Sequence, residues 1–258
     1  MQIALALSGG AAYGAAHIGV LQALEEEGCE IAGLSGTSAG SLVGTLYALG
    51  VGTDELEELA RQISWTDLVR LAPPGLGLLA IDRLRTWMKD RIGPVDLSEA
   101  PIPLRIVATD LAAGEAVVFA SGPADLAVAA SCAIPGLFRP VEHEGRVLVD
   151  GGIVNNLPVS LARELGVGPV VASDLLTPGP HPDPDHIFDV MIRSMTLMLS
   201  APSGERRAAD LLITPHTHTY NSADLRHSDE LIAEGYRAAR KALQESGFTA
   251  ERAGSDRS

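Results

Sequence analysis

Two kinds of apolar run alternate along the first fifty residues. Residues 3–7 form a short unbroken run, the pattern of a strand buried on both faces. The tight loop Ser8-Gly9-Gly10-Ala11-Ala12-Tyr13-Gly14 follows. Residues 15–27 then place Ile18, Leu21 and Leu24 at helical spacing, and Gly28 supplies a stop. The cycle repeats: a strand over 30–34, the turn Gly36-Thr37-Ser38-Ala39-Gly40, and an apolar helix ended by Gly50. Strand, glycine turn and helix in alternation predict a parallel sheet with helices on its faces.

Beyond this opening, Thr53-Asp54 is expected to cap an amphipathic helix carrying Leu56, Leu59, Ala60 and Ile63. Residues 71–80 are apolar but broken by Pro73, Pro74, Gly75 and Gly77, so they are not a regular helix. Their leucines are expected to be buried, as core cover or as a mobile lid over an acyl chain or lipid aggregate. A helix resumes over 81–92, strands are expected at 104–109 and 116–119, and a helix runs over 124–134 to Pro135. Residues 141–149 read as a hairpin turning at Glu144-Gly145, then a helix over 158–165 and a strand over 170–173. A Pro-rich loop over 177–184 precedes a helix over 185–209 that Pro202 and Gly204 break. A last strand follows over 211–214, and Ser228 is expected to cap a helix to about residue 246. No linker divides the chain, so residues 1–248 read as one domain and 249–258 as a polar, frayed tail.

Composition narrows the function. Of 258 residues, 46% are hydrophobic but only 4% aromatic, so Leu, Val, Ile and Ala must fill the core. A net charge of −14 repels nucleic-acid phosphates and opposes standing attachment to anionic membranes. Cys29 and Cys132 stand in no metal-ligand spacing and read as reduced thiols. The uncharged stretches 1–24 and 31–53 lack a basic n-region and are rich in small residues. They read as neither signal peptide nor membrane span, and a cytoplasmic location is expected.

Three places carry candidate chemistry. Gly36-x-Ser38-x-Gly40, between strand and helix, has the form of a nucleophile elbow: flanking residues almost without side chains let Ser38 stand at a helix N-terminus. The loop Gly9-Gly10-Ala11 can aim backbone N–H groups at an oxyanion. A phosphate loop is the weaker reading, because the glycine pattern is imperfect and no Gly-Lys-Ser/Thr is present. Asp150-Gly151-Gly152 follows the strand ending at Val149, which presents a carboxylate able to act as a base. Any Asp-Gly pair can equally be a simple turn.

These blocks together resemble the patatin-like phospholipase family. Residues 7–20 are similar to its glycine-rich oxyanion loop and first helix, and Gly36 to Gly40 falls at its nucleophile elbow. Residues 130–141, Ala-Ser-Cys-Ala-Ile-Pro-Gly-Leu-Phe-Arg-Pro-Val, look like its third block. Asp150-Gly151-Gly152 with Asn155-Asn156-Leu157-Pro158 looks like its aspartate block. The resemblance covers about residues 1–175 and implies a three-layer α/β/α fold with a mainly parallel central sheet. It also implies hydrolysis of carboxylic esters of lipids by a Ser38–Asp150 dyad without histidine. Gly9, Gly10 and Ala11 would form the oxyanion hole, supported by Gly14, Gly36, Ala39, Gly40, Gly151 and Gly152. No cofactor or metal is implied. The partner is a lipid or small ester, with transient contact at a membrane or lipid aggregate surface. The chain departs from the family at Ala11, where a third glycine is usual, and at Tyr13, where a basic residue is usual.

The histidines read as structural. His17 is expected to brace a loop, His143 to sit in the hairpin, and His216 and His218 to lie in a surface loop without further ligands. Two other readings remain open on the sequence. One is an α/β-hydrolase with a Ser-His-Asp triad, using His218 or His227, although its elbow usually follows several strands. The other is a non-catalytic lipid-binding protein on the same scaffold.

Overall fold

The computed structural model describes residues 1–72, 75–176, 183–184, 187–199 and 204–248. The predicted loop at 177–184 lies outside the described residues except for 183–184, and the tail 249–258 lies wholly outside them. In chain order the strands and helices are β1 (Gln2–Leu7), α1 (Ala15–Glu26), β2 (Glu30–Thr37), α2 (Ala39–Ala48), α3 (Thr53–Gln62) and α4 (Trp65–Leu68). Next come β3 (Arg70–Leu71), β4 (Leu79–Ala80), α5 (Asp82–Ile92), β5 (Leu104–Asp110), β6 (Glu115–Phe119) and α6 (Ala124–Ser131). They are followed by β7 (Val141–His143), β8 (Arg146–Asp150), α7 (Gly152–Asn155), α8 (Val159–Glu164) and β9 (Val170–Ser173). The described chain ends with α9 (Ile187–Leu199), α10 (Gly204–Ala208), β10 (Leu211–Ile213) and α11 (Ser228–Ser246).

The main sheet has the order β10-β9-β1-β2-β5-β8-β7, with β6 also pairing with β5. The five strands from β10 to β5 are mutually parallel; β6, β7 and β8 enter antiparallel. Alternation along β1 assigns its two faces. Ile3, Leu5 and Leu7 join the large core beneath α1, α2, α3, α5, α6 and α11. Ala4 and Ala6 face α8, packing with Val159, Ala162, Val170 and Ala172. Helices thus cover both faces, giving the expected three-layer α/β/α architecture with a mainly parallel sheet. Among the described residues, no helix is long and apolar enough to cross a membrane.

Four sequence expectations need correction. Helix α6 stops at Ser131 rather than reaching Ile134. The carbonyls of Ser131 and Ala133 instead accept from the Gly151 and Asp150 N–H groups at 3.3 and 2.9 Å, tying this turn to the end of β8. Neither predicted cap forms. Gly52 precedes α3, while the Thr53 hydroxyl donates to Glu25 Oε2 at 3.1 Å; Ser228 is the first residue of α11, after His227. The region 71–80 contains the short antiparallel ribbon β3–β4, and Leu71, Leu76 and Leu78 are 83%, 71% and 55% exposed rather than buried. The backbone of Leu78 and Leu79 is held by residues 137–139 and that of Leu71 by pairing with Leu79, and neither arrangement covers the exposed side chains. Within the expected helical stretch 185–209 the described residues form α9 and α10; residues 185–186 and 200–203, Pro202 among them, lie outside the described residues.

Candidate active site

Strand β5 sets the candidate nucleophile and base side by side. Thr37, the last residue of β2, pairs with Val107, and the next residue of β5, Ala108, pairs with Asp150. Ser38 therefore leaves the sheet next to the carboxylate. It adopts φ 51°, ψ −123° at the N-terminus of α2, a left-handed conformation that a non-glycine residue holds at a cost of about 1–3 kcal/mol. Its neighbours explain why it can be held there. A Cβ at Gly40 would lie 2.4 Å from the Leu7 carbonyl oxygen, and one at Gly36 would lie 2.7 Å from that of Gly40. Only glycine lets the first turn of α2 fold across the ends of β1 and β2.

Ser131, which the sequence offered only as part of a resemblance, fixes this turn. Its Oγ accepts from the Ser38 N–H at 2.8 Å and donates to the Val107 carbonyl at 2.6 Å. The Ser41 hydroxyl donates to the Ser38 carbonyl at 2.6 Å. Asn155 and Asn156 brace the site from the other side. The Asn155 carbonyl accepts from Thr37 Oγ1 at 2.8 Å, and the Asn156 carbonyl accepts from the Gly9 N–H at 3.1 Å. None of these bonds has a sequence signal, because each joins segments brought together only by the sheet order.

Asp150 is 3% exposed and Ser38 6%. The Gly152 N–H donates to Asp150 Oδ1 at 2.8 Å, and Gly151 lets the backbone run against Val107. Burial pushes the Asp150 carboxyl up to about 6, against the hydrogen bonds from the Ser38 hydroxyl and the Gly152 N–H that favour its ionised form. Cys132 sits close by. Burial first, then the Asp150 charge, push its thiol up to about 12, so it is a neutral wall of the site.

The glycine loop interlocks with the elbow. A Cβ at Gly9 would stand 3.1 Å from Ser38 Cβ and 2.6 Å from Asn156 Oδ1, and one at Gly14 would stand 2.8 Å from Ala39 Cβ. The Gly9 N–H is already committed to Asn156 and the Ala12 N–H to the Ser222 carbonyl. Of the three predicted donors, the Gly10 and Ala11 N–H groups remain uncommitted among the described residues. Ala11 has φ 50°, so the alanine in the usual glycine position carries left-handed strain.

His17 is fully buried behind this loop. Its Nε2–H donates to the Ser8 carbonyl at 2.9 Å, and its Nδ1 accepts from Ser173 Oγ at 2.9 Å. Burial lowers its pKa to about 4, which keeps it a neutral brace, as the sequence suggested. Tyr13 is buried, and its hydroxyl donates to the Tyr220 carbonyl at 2.7 Å. His143 stacks near Phe119, His216 and His218 face each other edge-on, and His227 lies 3.6 Å from Asp224. Among the described residues, no cluster of three or more His, Cys, Asp or Glu could hold a metal.

From Ser38 an apolar cavity of about 140 Å³ extends between α2, α3, α4 and α5. Leu42 and Leu46, Leu56 and Leu59, Trp65, Leu84 and Trp87 line it, with Ile134 and Phe138 from the segment after α6. The insertion between α2 and β5 thus shares the apolar walls with α2 and the segment after α6, through its helices rather than through the exposed leucines of the ribbon.

The family model for patatin-like phospholipase matches residues 5–163. The chain is 44% identical over 162 residues to an uncharacterised NTE family protein of Mycobacterium tuberculosis, covering 62% of this chain and 45% of that protein. It is 34% identical over 183 residues to a patatin-like phospholipase domain-containing protein of Caenorhabditis elegans, covering 67% and 13%. It is also 34% identical over 181 residues to a lysophospholipase of Mycosarcoma maydis, covering 68% and 10%. The chain thus spans less than half the length of these relatives. The crystal structure of VipD from Legionella pneumophila superposes with TM-score 0.64 at 16% identity, over 95% of this chain and 66% of that one, and so shares the fold. On the match across most of its sheet and all of its candidate site, the chain belongs to the patatin-like phospholipase family.

Proposed function

We propose that this chain is a serine lipid acyl hydrolase that cleaves carboxylic esters through a Ser38–Asp150 dyad. The observation that carries the reading is the pairing itself: a serine on a strained turn beside a buried carboxylate raised to about 6. A carboxylate near this value is ionised at neutral pH yet more basic than a solvated one, as a general base requires.

In the first step the Ser38 Oγ bonds to the ester carbonyl carbon while its proton passes to Asp150. The carbonyl oxygen becomes an oxyanion between the Gly10 and Ala11 N–H groups, donors of a kind worth about 3–4 kcal/mol each. Collapse breaks the bond to the leaving alcohol, which takes the proton from Asp150 and leaves an acyl-Ser38. Water then gives a proton to Asp150 and attacks the acyl carbon; Ser38 leaves with that proton, and the acid is released. The apolar cavity suits the acyl chain, and the lysophospholipase among the relatives supports a lipid substrate.

Turnover of p-nitrophenyl esters of graded chain length tests this reading. The wild type is expected to hydrolyse them, and Ser38→Ala to lose nearly all activity while keeping the same melting curve. Equal turnover by both would refute it.

A further inference from the structure

Two asparagines stand at the end of α7, and the fold engages the side chain of only one. The Asn155 amide donates from Nδ2 to Glu205 Oε1 at 3.1 Å. The half-buried Asn156 is held by its backbone carbonyl, which accepts from the Gly9 N–H at 3.1 Å, while its amide makes no hydrogen bond among the described residues. That amide lies beside the nucleophile. The point a Gly9 Cβ would occupy is 2.6 Å from Asn156 Oδ1 and 3.1 Å from Ser38 Cβ. Because Gly9 carries no side chain there, the amide and Ser38 flank a common gap.

The apolar cavity that meets Ser38 is lined by neither Gly9 nor any residue from 150 to 158. The Asn156 amide therefore stands at Ser38 outside the acyl cavity. An ester attacked by Ser38 has two arms. With the acyl arm in the cavity, the alcohol arm runs outside it, where Asp150 returns its proton and the Asn156 amide stands. An amide carries two donors and one acceptor group, and half a turn about its last torsion exchanges them. A substrate oxygen can therefore replace water on it without stranding a polar group. The ester oxygen itself must stay open to the proton from Asp150 as the alcohol leaves. The amide is left to take the next oxygen along the alcohol.

We infer that Asn156 is a specificity-determining residue on the alcohol side of the reaction, its amide bonding a hydroxyl on the carbon next to the ester-bearing one. The favoured substrates are monoesters of vicinal diols, a form that a glycerol backbone with one hydroxyl left free also has. This role deepens the proposed function and rests on it. A simple alkyl ester offers no such oxygen and sets a hydrocarbon group against the amide. A site that bonds a substrate hydroxyl rejects the analogue lacking it, because its own polar group is then left without a partner.

Hydrolysis of 2-hydroxyethyl hexanoate and of propyl hexanoate tests it, since the two alcohols differ by hydroxyl against methyl. Both esters pass through the same hexanoyl-Ser38, so their difference in kcat/KM reads acylation, the step in which the alcohol is present. The wild type is expected to favour the hydroxyethyl ester by about tenfold or more beyond the ratio of the alkaline hydrolysis rates. Asn156→Leu has a similar shape without a hydrogen-bonding group, and Asn156→Ala avoids any crowding by the leucine. Both keep the backbone carbonyl that holds Gly9. In each, the preference is expected to fall to within about twofold of the alkaline ratio. A wild type without the preference, or a preference that both variants retain, would overturn this role. So would an equal fall on both esters, with or without a lower melting temperature, which would make Asn156 a brace of the glycine loop. Turnover of neither ester by the wild type would instead bring down the Ser38–Asp150 reaction, and this role with it.

Discussion

Burial gives Asp150 a basicity suited to catalysis and, by the same physics, makes its ionised form costly. The folded carboxyl ionises at about 6, while an unfolded aspartate ionises at 3.8. Between these values the folded chain binds more protons than the unfolded one, so this group's contribution to stability falls as pH rises from 3.8 to 6 and stays low above it. A shift of this size corresponds to about 3 kcal/mol. Asp150→Asn keeps an oxygen for the Gly152 N–H and removes the charge. It is expected to abolish most turnover yet raise stability by about 1–3 kcal/mol at pH 8 in urea unfolding, with the gain vanishing near pH 4. Destabilisation at pH 8 would show that the carboxylate is better compensated than its burial implies. The kcat/KM of the wild type should fall as pH drops through about 6. A second residue-scale expectation concerns Ala11, whose φ of 50° suits glycine better. Ala11→Gly removes left-handed strain but frees the unfolded chain, so the net gain is expected to be within about 1 kcal/mol, with turnover equal or higher. A clear loss of stability on thermal melting would count against strain at this position.

At the scale of elements, the local chemistry was legible and the partnerships were not. Glycines around Ser38 and Asp150 marked sharp turns in the sequence, and the structure explains them by backbone approaches that a Cβ would block. Ser131 carried no such mark, because its value lies in reaching Ser38 beside Val107, from a position 93 residues further along the chain. The leucines of 71–80 misled for a related reason. Apolar residues are usually buried, yet pairing of β4 with β3 and with residues 137–139 fixes the backbone without covering the exposed side chains. The cavity belongs instead to α2, α3, α4 and α5. Ala60, on the cavity side of α3, gives the means to test this. Ala60→Phe is expected to lower kcat/KM on a dodecanoate ester about tenfold or more and to leave a butyrate ester within about twofold, as a shortened pocket would. Equal losses on both esters would move the acyl chain elsewhere.

For the whole molecule, the alternation of strands and helices predicted a parallel sheet, and β10, β9, β1, β2 and β5 form one. The antiparallel entry of β8 beside β5 was not readable, since a hairpin at Glu144-Gly145 does not say which strand it will join. That entry is nonetheless what brings Asp150 next to Ser38, so the fold's mixed edge creates the candidate site. His17 and Ser173 link the ends of β1 and β9 behind the glycine loop, which ties the oxyanion loop to the parallel half of the sheet. Catalysis by this assembly requires that it activate Ser38. Incubation with a fluorophosphonate probe, followed by peptide mass spectrometry, reads that directly. The predicted result is one covalent adduct per chain, on Ser38, formed several orders of magnitude more slowly in Asp150→Asn. An adduct on another serine, or labelling of Ser38 at the same rate without the Asp150 carboxylate, would contradict it.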